Sequence, residues 1–424
     1  MSHTILIVDD IVENIEFVAI YLKNIGYNVI TATNGTDALV IIKTQPLDII
    51  FLDIMLPDIS GFDICIKVKQ IPEYADIPII FLTSLNDTES IIEGLKSGAS
   101  DYLVKPINIR ELVLRLQNML ELKDAKKTLQ FKLQELNIKN QELKEKNKQI
   151  IDSVNYAQRI QIAALPDIDY MDKLLKEYFV LFIPKDIVSG DFYWLKYKDS
   201  KIILAAGDCT GHGVPGAFMS MLGLSFLNDI IFQIPHLLAS VIVEGLNKRI
   251  SRMLHRNTFL ADGIDISVVI IDTVKMELNF AGINTSISII QPKNQNINTS
   301  STIQYFYRND KANLTLKGNS FFTGNPKETF NVDDVLIPVA SGDTVYMYSD
   351  GFADQFNEID NVRYSKRKFY EKLTEISDNK PDEQKIILSQ DIKKWKGNAP
   401  QIDDIMVLGI KIQDKYELPE SDLS

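Results

Sequence analysis

The residues of this sequence best placed for chemistry are aspartates just beyond apolar runs. Asp208 follows the run Ile202–Ala206 in Ala206-Gly207-Asp208-Cys209-Thr210-Gly211-His212-Gly213. Glycines there turn the backbone tightly and leave a carboxylate beside free carbonyls, which suits a hard divalent cation. Asp191 in Ser189-Gly190-Asp191, Asp350 in Tyr348-Ser349-Asp350-Gly351 and Asp403 in Asp403-Asp404 also adjoin apolar runs. An aspartate in a glycine turn is common without chemistry. Four of them at strand ends, far apart in the chain, are what a two-metal hydrolytic centre requires. The doubled aspartate leaves its register open by one, so Asp404 is the alternative to Asp403. A second set lies earlier: Asp9 and Asp10, Asp53, Thr83 with Ser84, and Lys105 before Pro106, each after a short apolar run. Three carboxylates make a magnesium pocket, the hydroxyl can hold a phosphoryl oxygen and the lysine can neutralise another. The plainer reading is that these aspartates only cap helices.

Elements must bring these residues together. Ile5–Val8, Asn28–Ile30, Ile49–Leu52, Ile79–Leu82 and Tyr102–Val104 read as buried parallel strands alternating with amphipathic helices. That alternation predicts a doubly wound α/β sheet whose site lies beyond the carboxyl ends of its strands. The second half is strand-rich: Phe179–Ile183, Phe192–Tyr197, Ile202–Ala206, Ser267–Asp272, Leu278–Ala281, Ile287–Gln291, Thr344–Ser349 and Asp404–Ile412, with one helical stretch from Gly216 to about Leu254. This pattern suits an α+β sandwich of two sheets.

Between the halves, Glu111–Ala164 contains neither Pro nor Gly. An apolar seam runs through Met119, Leu122, Lys126, Leu129, Leu133, Leu136, Asn140, Leu143, Asn147, Ile150, Val154 and Ala157. Steps of three and four sustained this far predict a coiled coil, with Leu136, Leu143 and Ile150 at d and Asn140 and Asn147 at a. A buried Asn at a gives up stability but specifies two strands in register, so a parallel homodimer is expected. The alternative is a single solvated helix whose apolar residues rest on the flanking domains.

Five blocks of the second half resemble, in order, the PPM metal-dependent Ser/Thr phosphatases in their SpoIIE-like branch: Ser189-Gly190-Asp191, Gly207–Ser220, Asp262–Ser267, Tyr348–Asp354 and Asp403–Val407. The resemblance implies an αββα sandwich in which Asp208 bridges two Mn²⁺ or Mg²⁺ ions, with the Cys209 carbonyl on one of them. Asp191, Asp350 and Asp403 complete the set, and a water activated by the metals attacks phosphoserine or phosphothreonine. Lys185 is either a phosphate-holding residue or a surface lysine. Asp265 is a candidate near the metals, His212 is a general acid or part of the turn, and Cys209 an oxidant sensor or a small buried residue. Asn284 stands where many PPM phosphatases have aspartate, which argues against a third metal. The polar segment Gln291–Asn313 reads as a long hairpin or insertion.

The first half resembles the receiver domain of two-component response regulators, through Asp53-Ile54-Met55-Leu56-Pro57 with Gly61 and the residues named above. The resemblance implies that Asp53 accepts phosphoryl from a partner histidine kinase. It further implies that Asp9, Asp10, Asp53 and the Met55 carbonyl hold Mg²⁺, that Thr83, Lys105 and Tyr102 sense the phosphoryl group, and that the Lys105–Pro106 bond is cis. The expected organisation is a receiver over residues 1–122, a coiled-coil linker over 123–165, a phosphatase over 166–415 and an acidic tail over 416–424. The helix tail Ser153–Leu165 resembles the regulatory helices that precede SpoIIE-like domains, and as one helix reaching both domains it can carry the receiver's state to the catalytic end. The function implied is a phosphorylation-controlled phosphatase acting on a STAS-type anti-anti-sigma protein. The alternative is a non-catalytic phosphatase-like module that sequesters a partner.

Bulk properties narrow the remaining classes. The 424 residues are 45% hydrophobic and 24% charged, ordinary for globular domains. A formal charge of −12 argues against nucleic-acid and anionic-membrane partners, and no basic recognition helix follows the first domain. The 2 cysteines, Cys65 and Cys209, are far apart, so no disulfide framework is expected. The apolar stretch Met219–Ile242 is broken by Asn228, Asp229, Gln233 and Pro235, which argues against a membrane span. With no leader sequence read at the start, the expected location is cytoplasmic.

Overall fold

The computed structural model describes residues 3–84, 92, 94–254, 262–292, 303–308, 310–320 and 331–416. The chain divides into two units, Met1–Glu145 and Lys146–Ser424.

In the first unit the apolar runs form β1 (Thr4–Val8), β2 (Asn28–Ala32), β3 (Ile49–Asp53), β4 (Ile79–Thr83) and β5 (Asp101–Val104). They pair in parallel in the order β2-β1-β3-β4-β5, the doubly wound arrangement expected. β3 and β4 are buried at every position, as central parallel strands covered on both faces must be. Helices α1 (Val12–Asn24), α2 (Gly35–Thr44) and α3 (Gly61–Lys69) cover the sheet. The first turn of α2 is anchored twice: Asn34 accepts the Asp37 amide at 2.8 Å, and the Asp58 carboxylate accepts those of Gly35 and Thr36 at 2.8 Å each.

The long helix α4 spans Ile109–Ala164. Its first turns belong to the receiver core, where Leu112, Leu116 and Leu120, four residues apart, pack with Ile5, Ile49 and Leu103. Arg115 pairs with Asp101 at 2.5 Å and Lys123 with Asp48 at 2.7 Å. From Asp124 to Ser153 every residue is exposed, the apolar seam included.

The second unit contains two antiparallel sheets. One comprises β7 (Phe192–Lys198), β8 (Lys201–Cys209), β9 (Ile264–Asp272), β10 (Glu277–Ile283) and β14 (Val335–Pro338), in the order β14-β10-β9-β8-β7. The other comprises β6 (Tyr178–Ile183), β11 (Ser286–Pro292), β12 (Ile303–Arg308), β13 (Lys311–Lys317), β15 (Thr344–Tyr348) and β16 (Ile405–Lys411), in the order β12-β13-β11-β15-β16-β6. Their inner faces meet through Leu204, Val269, Leu278, Ile289, Val345 and Leu408. After the short α5 (Ile168–Leu174), helices α6 (Gly213–Gln233) and α7 (Ala239–Leu254) cover the first sheet. Helices α8 (Gly351–Asp354), α9 (Lys366–Ile376) and α10 (Pro381–Lys396) cover the second. The result is the αββα sandwich. By length and composition α6 is apolar enough to cross a membrane, but half of it is buried within this unit as a core helix.

Parts of the second unit differ from the sequence reading. The helical stretch expected from Gly216 to about Leu254 is two helices, because Ile234–Leu238, containing Pro235, leaves the helix. The polar segment Gln291–Asn313, read as a long hairpin or insertion, supplies β12 and the start of β13, which pair antiparallel, with 293–302 outside the described residues. β14 was also not read, being 4 residues long. Residues 417–424 of the expected acidic tail lie outside the described residues.

Candidate functional site

In the receiver, the carboxyl ends of β1, β3, β4 and β5 deliver Asp9, Asp53, Thr83 and Lys105 to one place. Oxygens of Asp9, Asp10 and Asp53 all lie within 4.8 Å of one another, with Asp9 and Asp53 buried and Asp10 exposed. Lys105 Nζ donates to Asp53 Oδ2 at 2.5 Å and pairs with Asp9 Oδ2 at 2.7 Å. Asp53 Oδ1 accepts the Met55 amide at 3.1 Å, and Asp9 Oδ1 the Ile11 amide at 3.0 Å. Burial pushes the Asp53 carboxyl up and outweighs the pull of Lys105 and the Met55 amide. Burial works against the Lys105 ammonium, yet Asp53 and Asp9 together hold it above its ordinary value. A Cβ on Gly61 would stand 2.3 Å from the Asp53 carbonyl, so the chain passes this point only as glycine. Tyr102, half-buried, lines a small cavity with Ile54, Phe81, Thr83 and Leu95. The Lys105–Pro106 bond is cis.

In the second unit the carboxylates come from both sheets. Asp208 stands near the end of β8, with Asp265 of β9 opposite it. Asp191 precedes β7, whose first residue pairs with Gly207. Asp350 follows β15, and Asp403 and Asp404 precede β16, its neighbour. Where these ends approach, a cleft is lined by Asp208, Asp265, Asn284, Tyr348, Asp350 and Lys366. A Cβ on Gly351 would fall 2.0 Å from the Asp404 carbonyl, which explains the glycine after Asp350.

Electrostatics tie the group together. Burial pushes the Asp191 carboxyl well above the ordinary range, and Asp404, Asp403 and Asp350 push it further, against a hydrogen bond from Ser349. Burial also raises Asp208, followed by the charges of Asp191, Asp350, Asp403 and Asp265. Asp350 is raised by burial, Asp354 and Asp403, while Lys366 pulls it down. Burial raises Asp265 against a 2.8 Å hydrogen bond from Asn284 Nδ2. The Cys209 thiol is pushed up by burial and by Asp208.

The two adjacent aspartates are not equivalent. Asp404 is buried and spends both oxygens on the backbone, accepting the Lys185 and Gly190 amides at 2.7 Å each. Asp403 is half-exposed, and among the described residues its carboxylate accepts only the Asp404 amide, at 2.9 Å. The Lys185 ammonium makes no hydrogen bond or ion pair among the described residues. His212 Nδ1 lies 2.6 Å from Asp186 Oδ2, both partly exposed.

Comparison with known proteins follows from this geometry. Residues 198–413, a little over half of the chain, match the family model of Stage II sporulation protein E (SpoIIE). The chain belongs to the SpoIIE family. Residues 5–117 match the response regulator receiver domain, so the SpoIIE-family domain follows a receiver. The SiaA-PP2C domain of Pseudomonas aeruginosa superposes with a TM-score of 0.54 at 28% identity, covering 63% of this chain and 98% of that one. A probable transcriptional regulator ycf27 of Cyanidium caldarium is 42% identical over 119 residues, 28% of this chain and 47% of that protein. The response regulator SaeR of Staphylococcus epidermidis is 42% identical over 120 residues, 28% of this chain and 51% of that protein. The chain thus spans about half the length of these curated relatives.

The SpoIIE-family domain has the donors that hard divalent ions need. Asp191 is 1% exposed, and its Oδ1 has no hydrogen-bond partner among the described residues. A buried carboxylate oxygen left bare among like charges is costly unless a cation meets it. Among the described residues only the receiver trio has its ligand oxygens all within 4.8 Å.

Sequence reasoning did not single out Gln161, Ser349 or Lys366. Gln161, near the end of α4, is 5% exposed; its Nε2 donates to the Ser189 carbonyl at 2.6 Å and to Ser220 Oγ at 2.8 Å. Its Oε1 accepts the Ser189 amide at 3.0 Å. Its position one helical turn after Ala157 of the seam, among apolar neighbours, was the available signal.

Proposed function

We propose that the chain is a response regulator whose SpoIIE-family domain is a metal-dependent protein phosphoserine/phosphothreonine phosphatase. The carrying observation is the convergence of Asp191, Asp208, Asp350 and Asp403 from both sheets, with Asp191 Oδ1 buried and bare. In this reading Asp208 and the Cys209 carbonyl, with Asp191, Asp350 and Asp403, would hold the ions, and Asp265, on the same cleft, is a further candidate. Two Mn²⁺ or Mg²⁺ ions held there would supply Lewis acidity and an activated water at neutral pH. The protein's own part is to hold the carboxylates in register and to admit the phosphate through the cleft. Lys366, on that cleft beside Asp350, offers a cation to the phosphate. No protein nucleophile is required. Release of phosphate from a phosphoserine peptide by the full chain should require Mn²⁺ or Mg²⁺. Asp208→Asn should cut it roughly a thousandfold, the several kcal/mol a catalytic metal contributes. Undiminished release by Asp208→Asn would exclude this centre.

In the same reading Asp53 is the phosphoacceptor for a histidine kinase. Asp9, Asp10, Asp53 and the Met55 carbonyl would hold Mg²⁺ there, and Thr83, Lys105 and Tyr102 would respond to the phosphoryl group. The ion pair from Lys105 to both Asp53 and Asp9 supports this assignment. So does α4, whose first turns lie in the receiver core and whose last turns place Gln161 on the Ser189 loop. The exposed seam of α4 is proposed to pair with a second copy as a parallel coiled coil, since alternating apolar and Asn positions suit a two-stranded register better than solvent. A STAS-type antagonist of an anti-sigma factor is the proposed substrate, on the strength of the resemblance to the SpoIIE-like branch.

A further inference from the structure

We propose that Ser349 is the positioning residue for Asp191, fixing its carboxylate so that one chosen oxygen is left for the metal centre. Ser349 lies between the last residue of β15 and Asp350 and is 5% exposed. Its Oγ accepts the Met406 amide at 3.0 Å, which leaves the hydroxyl proton free to point elsewhere. That proton goes to Asp191 Oδ2 at 2.6 Å. Oδ2 is thereby taken, while Oδ1 of the same carboxylate stays buried and has no hydrogen-bond partner among the described residues.

The rest of Asp191 is held as well. Its amide donates to Ser189 Oγ at 3.1 Å, and Gln161 fixes the Ser189 backbone from α4. With its backbone fixed, an aspartate can still turn about χ1 and χ2, and the broad χ2 rotation exchanges its two oxygens. The Ser349 hydrogen bond opposes that rotation. It also crosses between the sheets, since Ser349 belongs to the β15–β16 pair and Asp191 to the turn before β7. Ser349 therefore keeps an aspartate of one sheet in register with Asp350, its own neighbour on the other. Asp350 meets the cleft directly; Ser349 acts only through Asp191.

This inference rests on the metal-centre reading above, and titration calorimetry with Mn²⁺ on the full chain separates the two. The heat lost in Asp208→Asn defines the phosphatase sites and sets the receiver's own binding aside. Ser349→Ala should weaken Mn²⁺ at those sites by roughly 10- to 100-fold, the usual cost of losing a group that orients a ligand. Ser349→Thr keeps the hydroxyl and should recover most of the affinity. On p-nitrophenyl phosphate the alanine variant should lower kcat at limiting Mn²⁺, with KM little changed and excess Mn²⁺ restoring turnover. A core variant of comparable melting temperature, such as Ile410→Val, should leave Mn²⁺ affinity intact. Wild-type affinity in Ser349→Ala, or equal weakening in Ile410→Val, would overturn the positioning role while leaving the metal centre standing. No heat dependent on Asp208 in the wild type would overturn the metal centre and the inference together.

Discussion

At the scale of residues, the pair Asp403 and Asp404 shows what a sequence cannot decide. Both follow the same loop and precede the same apolar run, so either fits the metal set. The fold separates them by hydrogen bonding: Asp404 is committed to the Lys185 and Gly190 amides, whereas Asp403 keeps its carboxylate largely free. Asp404→Asn should therefore cost about 1–3 kcal/mol of stability, the penalty of leaving a buried amide without its acceptor. Asp403→Asn should leave the melting temperature of the metal-free protein nearly unchanged and weaken Mn²⁺ binding. Thermal unfolding beside calorimetry checks the contrast, and the reverse pattern would exchange the two roles. Asp58 gives a second residue-scale outcome, in the receiver. Its hydrogen bonds from Thr36 Oγ1 and the Gly35 and Thr36 amides hold its carboxyl well below the ordinary range. A folded value below the unfolded one, about 3.9, means stability that is present above that pH and lost as pH falls through the lowered range. Asp58→Ala should remove this contribution at neutral pH and flatten that part of the acid-unfolding curve followed by circular dichroism.

At the scale of elements, legibility followed burial. The receiver strands were plain because central parallel strands are apolar at every position, as Ile49–Leu52 and Ile79–Leu82 are. The candidate aspartates were plain because each adjoins an apolar run. β12 and β13 were legible only as a polar hairpin or insertion, because the segment that holds β12 is rich in Asn, Gln, Ser and Thr. β12 stands at the sheet edge, and most of its residues are only partly buried. The break between α6 and α7 was marked by Pro235, yet apolar residues on both sides masked it. Gln161 and Ser349 were missed for a different reason: one hydroxyl or amide gives no pattern until the fold names its partner. The helix α4 was legible from its lack of Pro and Gly, and the seam proposed to pair with a second copy is exposed from Asp124 to Ser153. Sedimentation of the full chain at micromolar concentration should give a dimer. Replacing both Asn140 and Asn147 with Leu should raise the melting temperature and relax the association state, because a buried Asn at a exchanges stability for register. A monomer in the unmodified chain would remove the coiled coil from the account.

At the scale of the whole molecule, two sites of carboxylates lie on one chain, each built where strands end. The receiver site gathers Asp9, Asp10, Asp53 and Lys105, and the SpoIIE-family site gathers Asp191, Asp208, Asp350 and Asp403; in the proposed reading the first accepts a phosphoryl group and the second hydrolyses one. The helix α4 contributes Leu112 and Leu116 to the first unit's core and Gln161 to the Ser189 loop of the second. In the proposed reading the state of the first site sets the rate at the second. The most direct measurement of that coupling is Mn²⁺-dependent hydrolysis of p-nitrophenyl phosphate by the full chain, with and without beryllofluoride to mimic phosphorylated Asp53. The account expects turnover that changes with beryllofluoride, and no such change in Asp53→Asn. Turnover identical in the two receiver states, or none in either, would contradict it.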